Sequence, residues 1–232
     1  MPKVSLTKAA GTLARRLEQL ARVSEERGET TRTFLSPAMR RANALVGRWM
    51  RGAGLKVRVD RFGNLVGRTA APARGARTLL MGSHLDTVRD AGRFDGALGV
   101  LLPIAALEVL RSRGKTLPFG VEVLGFSEEE GVRFSSAYLG SKGYAGLMGK
   151  ADLRLRDPAG ISVGEALAGG RGRRFTPPGP AHTSKELIGY LEVHIEQGPV
   201  LEELGVAAGV VSEIAGQTRA RIAFGGRAGH AG

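Results

Sequence analysis

The sequence predicts an α/β fold with a doubly wound, mostly parallel sheet. An apolar segment at 78–83 is followed by a largely apolar helical segment at 96–112 and a second apolar segment at 119–126, which is the order of a β-α-β unit. Both short segments are nearly continuous in apolar residues, as parallel strands covered on both faces are. The hydrophobic fraction of 42% and the charged fraction of 24% are those of a globular protein.

The segments before this unit predict two helices and a hairpin. Apolar residues recur every three or four positions at 7–27, which indicates an amphipathic helix. A second helix is predicted at 38–51, because Ser36 and Pro37 supply an N-cap and a first-turn proline. Apolar and polar residues alternate on either side of a turn at 60–64, which is typical of a β-hairpin.

The segments after the unit are less regular. Residues 151–184 are rich in glycine and proline and predict a long excursion with one short helix at 163–168. The pattern becomes strand-like again at 186–196, and alternation at 218–224 predicts a further strand close to the end of the sequence.

Composition excludes several classes of protein. Cysteine is absent, so a metal would have to be held by histidine and carboxylate side chains. The sequence shows neither a signal peptide nor about 20 consecutive apolar residues, which predicts a cytoplasmic protein without a membrane partner. The net charge of +12 raises the possibility of nucleic acid binding. Basic residues are scattered, however, and the densest cluster at 171–174 has no interleaved aromatic residues, so no nucleic-acid partner is expected.

Chemically reactive side chains follow the predicted strands. His84 and Asp86 come directly after the strand at 78–83, and Asp95 precedes the next helix. Three glutamates at 128–130 follow the second strand, and His194 lies on or after a later one. Because ligands bind beyond the carboxyl ends of strands in open α/β sheets, we expect these side chains to converge there.

Each of these residues also has an ordinary structural interpretation. A lone histidine after a strand is more often a satisfied core or surface residue than a ligand. An aspartate before glycine commonly caps a helix, as Asp95 could, and consecutive glutamates commonly form a solvated run. The glutamates here directly follow an apolar strand, where an acidic run needs a balancing cation. Together the four groups favour a metal site.

The motifs resemble those of a known family in their order. They are His-Leu-Asp at 84–86, Gly-Arg-Phe-Asp-Gly at 92–96, Glu-Glu-Gly at 129–131, His-Ile-Glu-Gln-Gly at 194–198 and Gly-His at 229–230. This series resembles the allantoate amidohydrolase and N-carbamoyl-L-amino-acid hydrolase branch of the aminoacylase-like metallohydrolases. The resemblance implies a zinc-peptidase type of sheet, two divalent metal ions, a small ureido or amide substrate and a homodimer. Zinc or manganese suits such ligands, and nickel or cobalt is possible.

The resemblance also implies a role for each residue. Asp95 would bridge the two ions, with His84 and His194 on the first and Glu130 on the second. Glu129 would be the general base. The carboxylate of Asp86 would orient the ring of His84.

Four further residues complete the assignment. Gln197 and His230 resemble substrate-binding residues, the latter reaching a partner subunit's site. Glu128 lies outside the motif and is expected to be a solvated neighbour. His182 matches no motif and is expected to be an exposed loop residue.

The resemblance divides the sequence into a catalytic metal-binding domain at 1–215 and the first strand of a smaller α/β dimerisation domain at 216–232. On this interpretation both domains are incomplete and one metal-binding histidine is missing, so the chain alone is expected to be inactive. Allantoate amidohydrolase is the expected activity. The alternatives are N-carbamoyl-L-amino-acid hydrolase, an inactive truncated fragment, and a non-catalytic binding protein of the same family.

Overall fold

The chain forms two compact units, Met1–Ile195 and Glu196–Gly232. The predicted strand at 218–224 and the boundary at 215 lie largely outside the described residues and stay predictions. None of the helices in the described part is long and apolar enough to cross a membrane. The computed structural model describes residues 3–214 together with Gly216, Ala220, Ile222, Ala223, 225–227 and Gly229.

α1 (Leu6–Ala21) packs against α2 (Pro37–Gly52) and α3 (Ala97–Ser112), which cover one face of the sheet. Each of these helices has sixteen residues. The hydroxyl of Ser36 accepts a hydrogen bond from the backbone N–H of Met39, which confirms the predicted N-cap of α2. α1 ends at Ala21, before the predicted end at 27, because the chain turns and the N–H of Glu25 donates to the carbonyl of Thr31.

Among the described residues the sheet has five strands, in the order β1-β2-β4-β3-β5. β3 pairs in parallel with both β4 and β5, which confirms the predicted parallel core. The hairpin of β1 and β2 joins the same sheet through antiparallel pairing of β2 with β4, so the sheet is mixed. The predicted strand at 186–196 is shorter in the structure. The strands are β1 (Lys56–Val59), β2 (Leu65–Arg68), β3 (Thr78–His84), β4 (Gly120–Phe126) and β5 (Leu187–Leu191).

Apolar side chains cover both faces of the sheet. On one face Val121 and Val123 of β4 pack with Val46 of α2 and Ile104 of α3 in a single buried cluster. On the other face Leu124 and its neighbours pack against Tyr144, at the end of the short helix α4 (Leu139–Tyr144). The sheet is therefore packed on both faces, which holds the ends of β3 and β4 in place.

The excursion after the parallel unit contains short helices and a second small core. α6 (Val163–Leu167) confirms the short helix predicted at 163–168, whereas α5 (Lys150–Arg154) and a 3₁₀ turn at Ser184–Glu186 were not predicted. The unit Glu196–Gly232 contains α7 (Val200–Glu203). The second core fixes the loop that leaves β4 and consists of Phe34, Phe62, Phe134, Leu139, Met148 and Val163.

Candidate metal centre

His84 is the last residue of β3 and its side chain is almost completely buried. Its Nδ1 atom lies 2.9 Å from the backbone carbonyl oxygen of Asp86, which makes Nδ1 the protonated nitrogen. The other nitrogen, Nε2, faces Asp95, whose Oδ1 atom is 3.7 Å away, and is the atom that can offer a lone pair to a cation once it has lost its proton. The ring is thus oriented as a ligand through Nε2.

His194 has the same arrangement on the opposite side of Asp95. Its Nδ1 atom lies 2.8 Å from the carbonyl oxygen of Ile195, and its Nε2 atom lies 3.2 Å from Oδ1 of Asp95. The rings of His84 and His194 are stacked with centroids 6.2 Å apart. Ligands about 2.1 Å from a tetrahedral zinc ion are separated by about 3.4 Å, so these three side chains could hold one cation.

A second group of donors lies beside the first. One donor atom each from His84, Glu129 and Glu130 lie within 4.8 Å of one another. Oε2 of Glu129 is 3.9 Å from Nε2 of His84. One lone pair on Nε2 can bind one cation only, so a cation held with Asp95 and His194 would leave the two glutamates available for other work.

Gly96 allows the close approach of Asp95 to His84. A Cβ atom at this position would lie 2.6 Å from three atoms of the His84 ring. The backbone φ of +62° at Gly96 is also one that residues with a side chain rarely adopt. Glycine is therefore required here for two independent reasons.

Asp86 connects the two loops that carry the donors. Its carboxylate is buried, and its Oδ2 atom accepts a hydrogen bond of 3.1 Å from the backbone N–H of Glu130. Oδ1 lies 3.9 Å from Nδ1 of His84 and has no hydrogen-bond partner among the described residues. The hydrogen bond to the ring is made by the backbone carbonyl of Asp86, whereas the carboxylate, which was predicted to orient the ring, lies near Nδ1 and also positions Glu130.

The electrostatics of the site favour bound cations. Burial opposes a charge on His84, but the hydrogen bond to Asp95 and the charges of Asp86 and Glu129 outweigh it and raise its pKa to about 9. Burial raises the pKa of both Glu129 and Glu130, and repulsion among the neighbouring carboxylates adds to the increase. A divalent cation would relieve this repulsion, and the imidazole and carboxylate donors fit such an ion.

Comparisons with known proteins agree with this chemistry. Residues 64–160 match the model of Peptidase family M28. Allantoate deiminase from Arabidopsis thaliana is 46% identical over 222 residues, which cover 94% of this chain and 42% of that protein. N-carbamoyl-L-amino acid amidohydrolase from Geobacillus stearothermophilus is 39% identical over 221 residues, which cover 95% and 54%.

A hydantoinase/carbamoylase family amidase from Burkholderia ambifaria has the same fold, with a TM-score of 0.73. Its structure is 38% identical and covers 84% of this chain and 47% of its own. The chain is similar over more than 90% of its length to allantoate deiminases and N-carbamoyl-L-amino acid amidohydrolases. It spans about half the length of the curated relatives it matches.

Glu128, which directly precedes the Glu-Glu-Gly motif at 129–131, differs from its expected role. The expectation of a solvated neighbour is wrong, because its side chain is fully buried. Oε1 accepts hydrogen bonds from the backbone N–H groups of Arg133 and Phe134 at 3.0 and 2.9 Å. Burial raises the pKa of Glu128 to about 7. The residue shapes the loop that presents Glu129 and Glu130.

His182 is not an exposed loop residue as expected. Its side chain is 7% exposed, and Nε2 lies 3.5 Å from Oε1 of the buried Glu122. The loop is drawn inward because the N–H of Ala181 donates to the carbonyl of Tyr144, whose ring then packs against His182. His182 lies on the face of the sheet that α4 covers and takes no part in the metal centre.

No sequence pattern indicated that a guanidinium group is buried beside the candidate metal centre. Arg32 is 2% exposed, and its Nε atom donates to the carbonyl of Leu85 at 2.8 Å. Burial lowers the pKa of Arg32 to about 10, although the charge of Asp86 opposes the decrease. Arg32 lies between α1 and α2 in a segment without a regular pattern of apolar residues, so its burial could not be predicted from the sequence.

Gln197 and His230 are the two predicted substrate-binding residues. Gln197 belongs to the unit Glu196–Gly232 and has a positive φ of 56°. His230 lies outside the described residues. Their roles stay predictions.

Proposed function

We propose that the protein carrying this chain is a metal-dependent amidohydrolase that hydrolyses a linear C–N bond of a ureido or amide group. One observation carries the proposal. Nε2 of His84 and Nε2 of His194 face the same carboxylate oxygen of Asp95, and the carboxylate of Glu129 lies beside them. This is a set of ligands with an adjacent acid–base group, which is the combination that metal-assisted hydrolysis needs.

The donor set suits two divalent ions, zinc or manganese, and nickel or cobalt would also fit. Such ions, when bound, supply Lewis-acid activation of water and of the substrate carbonyl group. We assign His84, Asp95 and His194 to the first ion. Asp95 would also serve the second, together with Glu130. The backbone N–H that donates to Asp86 holds the chain at Glu130 in place for this.

Glu129 is the group that we assign to proton transfer. Its side chain is 31% exposed, so it reaches the open side of the site where a substrate can enter. Burial and the surrounding carboxylates raise its pKa, which makes it a stronger base than a solvated glutamate. It would accept a proton from the attacking water and deliver it to the departing nitrogen. Asp86, fully buried beneath, would keep the loop of Glu129 and Glu130 in position.

Allantoate is the substrate that the comparisons favour. The relative named allantoate deiminase is 46% identical to the chain, and the one named N-carbamoyl-L-amino acid amidohydrolase is 39% identical. Both names describe hydrolysis at a ureido group, so N-carbamoyl-L-amino acids are the second candidate. We further propose that Gln197 and His230 contact the substrate, that the protein is a cytoplasmic homodimer, and that 216–232 begin its smaller domain.

Product release from the two candidate substrates tests the proposal. The protein carrying this chain, purified with zinc or manganese, should release ammonia from allantoate faster than it releases the amino acid from an N-carbamoyl-L-amino acid. The reverse ranking would assign the second activity. Binding of either compound without hydrolysis, in a preparation that retains metal, would contradict the proposed activity and indicate a non-catalytic binding protein.

A further inference from the structure

The segment that carries His194 extends beyond the paired part of β5. The last backbone pair between β3 and β5 joins Met81 and Leu191, and His194 comes three residues later. Its side chain is 34% exposed, so surrounding core residues do not enclose it. Something other than the strand ladder must therefore bring its ring to Asp95.

Side-chain hydrogen bonds connect β3 to the segment after β5, beyond the last backbone pair. The hydroxyl of Ser83, next to His84 in β3, donates to Oε1 of Glu192. The hydroxyl of Tyr190 lies 2.8 Å from Oε2 of Glu192 and 3.0 Å from the carbonyl oxygen of Gly82. Both carboxylate oxygens of Glu192 are thus engaged, one by β3 and the other by β5.

A close backbone contact fixes the residue between Glu192 and His194. A Cβ atom on Gly99 of α3 would lie 2.6 Å from the carbonyl oxygen of Val193 and 2.7 Å from Cβ of Ser83. The absence of a side chain at Gly99 lets α3, β3 and the segment after β5 meet at one point. Val193 therefore has a defined position directly before the ligand.

We infer that Glu192 is a positioning residue for the metal centre, holding the segment after β5 against β3 so that His194 reaches Asp95. The inference rests on the proposed function, since it assumes that His194 is a metal ligand. A positioning role differs from a merely structural one, because Glu192 would then affect metal affinity and coordination geometry more than it affects folding. Residues that orient ligands commonly contribute ten- to a hundred-fold to metal affinity.

Metal binding to the 232-residue chain tests the inference without any assay of turnover. Zinc affinity would be measured by competition with a chromophoric chelator, and coordination geometry by the visible spectrum of bound cobalt. Glu192→Ala should weaken zinc binding about tenfold or more and alter the cobalt spectrum. Glu192→Gln should restore both, because its amide oxygen can still accept from Ser83 and its amide N–H can donate to Tyr190.

Two controls separate the possible causes. Glu186→Ala removes an exposed carboxylate at the other end of β5, hydrogen-bonded to Thr183, and should leave zinc affinity unchanged. Ser83→Ala removes only the donor from β3 and should weaken binding in the same direction as Glu192→Ala. It also provides the test should Glu192→Ala fail to fold. Circular dichroism would verify that each variant is folded.

The outcomes distinguish this inference from the proposed function. If His194→Ala weakens zinc binding while Glu192→Ala and Ser83→Ala both bind as the unmodified chain does, the positioning role is overturned and the metal centre stands. If the unmodified chain binds no zinc, or binds it equally well after His194→Ala, the metal centre itself is wrong and the positioning role is overturned with it.

Discussion

Nε2 of His194 lies 3.2 Å from Oδ1 of Asp95, although the two residues are 99 positions apart in the sequence. His194 follows β5 and Asp95 precedes α3, so their proximity depends on the parallel pairing of β5 with β3. The Nδ1 atom of His194 contacts the backbone carbonyl of Ile195, and the Nδ1 atom of His84 contacts the backbone carbonyl of Asp86. The fold thus directs both Nε2 atoms at one carboxylate before any cation binds.

Replacing the general base should separate turnover from metal binding. Glu129→Gln removes the proton acceptor and keeps the shape of the side chain. We expect metal content to stay near that of the unmodified protein while kcat for the preferred ureido substrate decreases by about two orders of magnitude or more. Metal analysis and steady-state kinetics on the same preparation would measure both quantities.

Glu130→Gln is the matched control for that experiment. It changes the adjacent glutamate in the same way, but we assign that residue to the second ion, so metal content should decrease together with turnover. Near-normal turnover by a metal-loaded Glu129→Gln variant would place the base elsewhere in the site.

The sequence predicted the parallel core and most of the centre for a simple physical reason. Parallel strands that are buried on both faces have nearly continuous apolar sequences. The residues directly after such strands lie at the same edge of the sheet. His84 and Glu129 could be identified from this placement and from the family's motifs. The joining of the β1–β2 hairpin to the same sheet could not, because hydrophobic alternation does not specify which strand a hairpin pairs with.

Burial of individual polar residues was the part that the sequence did not reveal. Glu128 is identical in type to its two neighbours, yet a positive φ of 50° turns its side chain inward. His182 stands among glycine and proline residues and is buried because Glu122 and Tyr144 lie opposite it on the sheet. These outcomes depend on contacts between residues distant in the sequence, which no local pattern records.

Glu128 should make stability depend on pH. Its pKa is raised to about 7 by burial, from an ordinary value of 4.5. Between these values the folded chain retains a proton that the unfolded chain has lost, so the free energy of unfolding should decrease as pH rises from about 4.5 to about 7. Glu128→Gln is neutral throughout and should lack this contribution. Urea unfolding at several pH values, with a chelator present, would compare the two; parallel curves would contradict the assignment.

Gly96→Ala should disrupt the centre through packing alone. The added methyl group would lie 2.6 Å from the His84 ring, and the φ of +62° disfavours alanine. We expect a loss of at least tenfold in metal affinity together with a lower Tm. Gly92→Ala is the control, because a Cβ atom there meets nothing within 4 Å. Equal metal affinity of the two variants would show that the His84 ring does not need this space.

Metal binding should release protons near neutral pH. The pKa of His84 is about 9 in the metal-free chain, so at pH 7 its ring is protonated and a cation must displace a proton from Nε2. The apparent affinity should therefore increase as pH rises toward about 9. Calorimetric titration at pH 7 in buffers of different ionisation enthalpy would detect the release. An observed enthalpy that is independent of the buffer would contradict it.

The most direct test of the metal centre compares zinc binding by Asp95→Asn and by His182→Asn, measured by calorimetry on the folded chain. Asp95 lies between the two proposed histidine ligands, whereas His182 is another buried histidine that contacts Glu122 and Tyr144. Asp95→Asn should lose at least a hundredfold in zinc affinity, and His182→Asn should bind zinc as the unmodified chain does. Unchanged binding by Asp95→Asn, or an equal loss in both variants, would contradict a metal centre built on His84, Asp95 and His194.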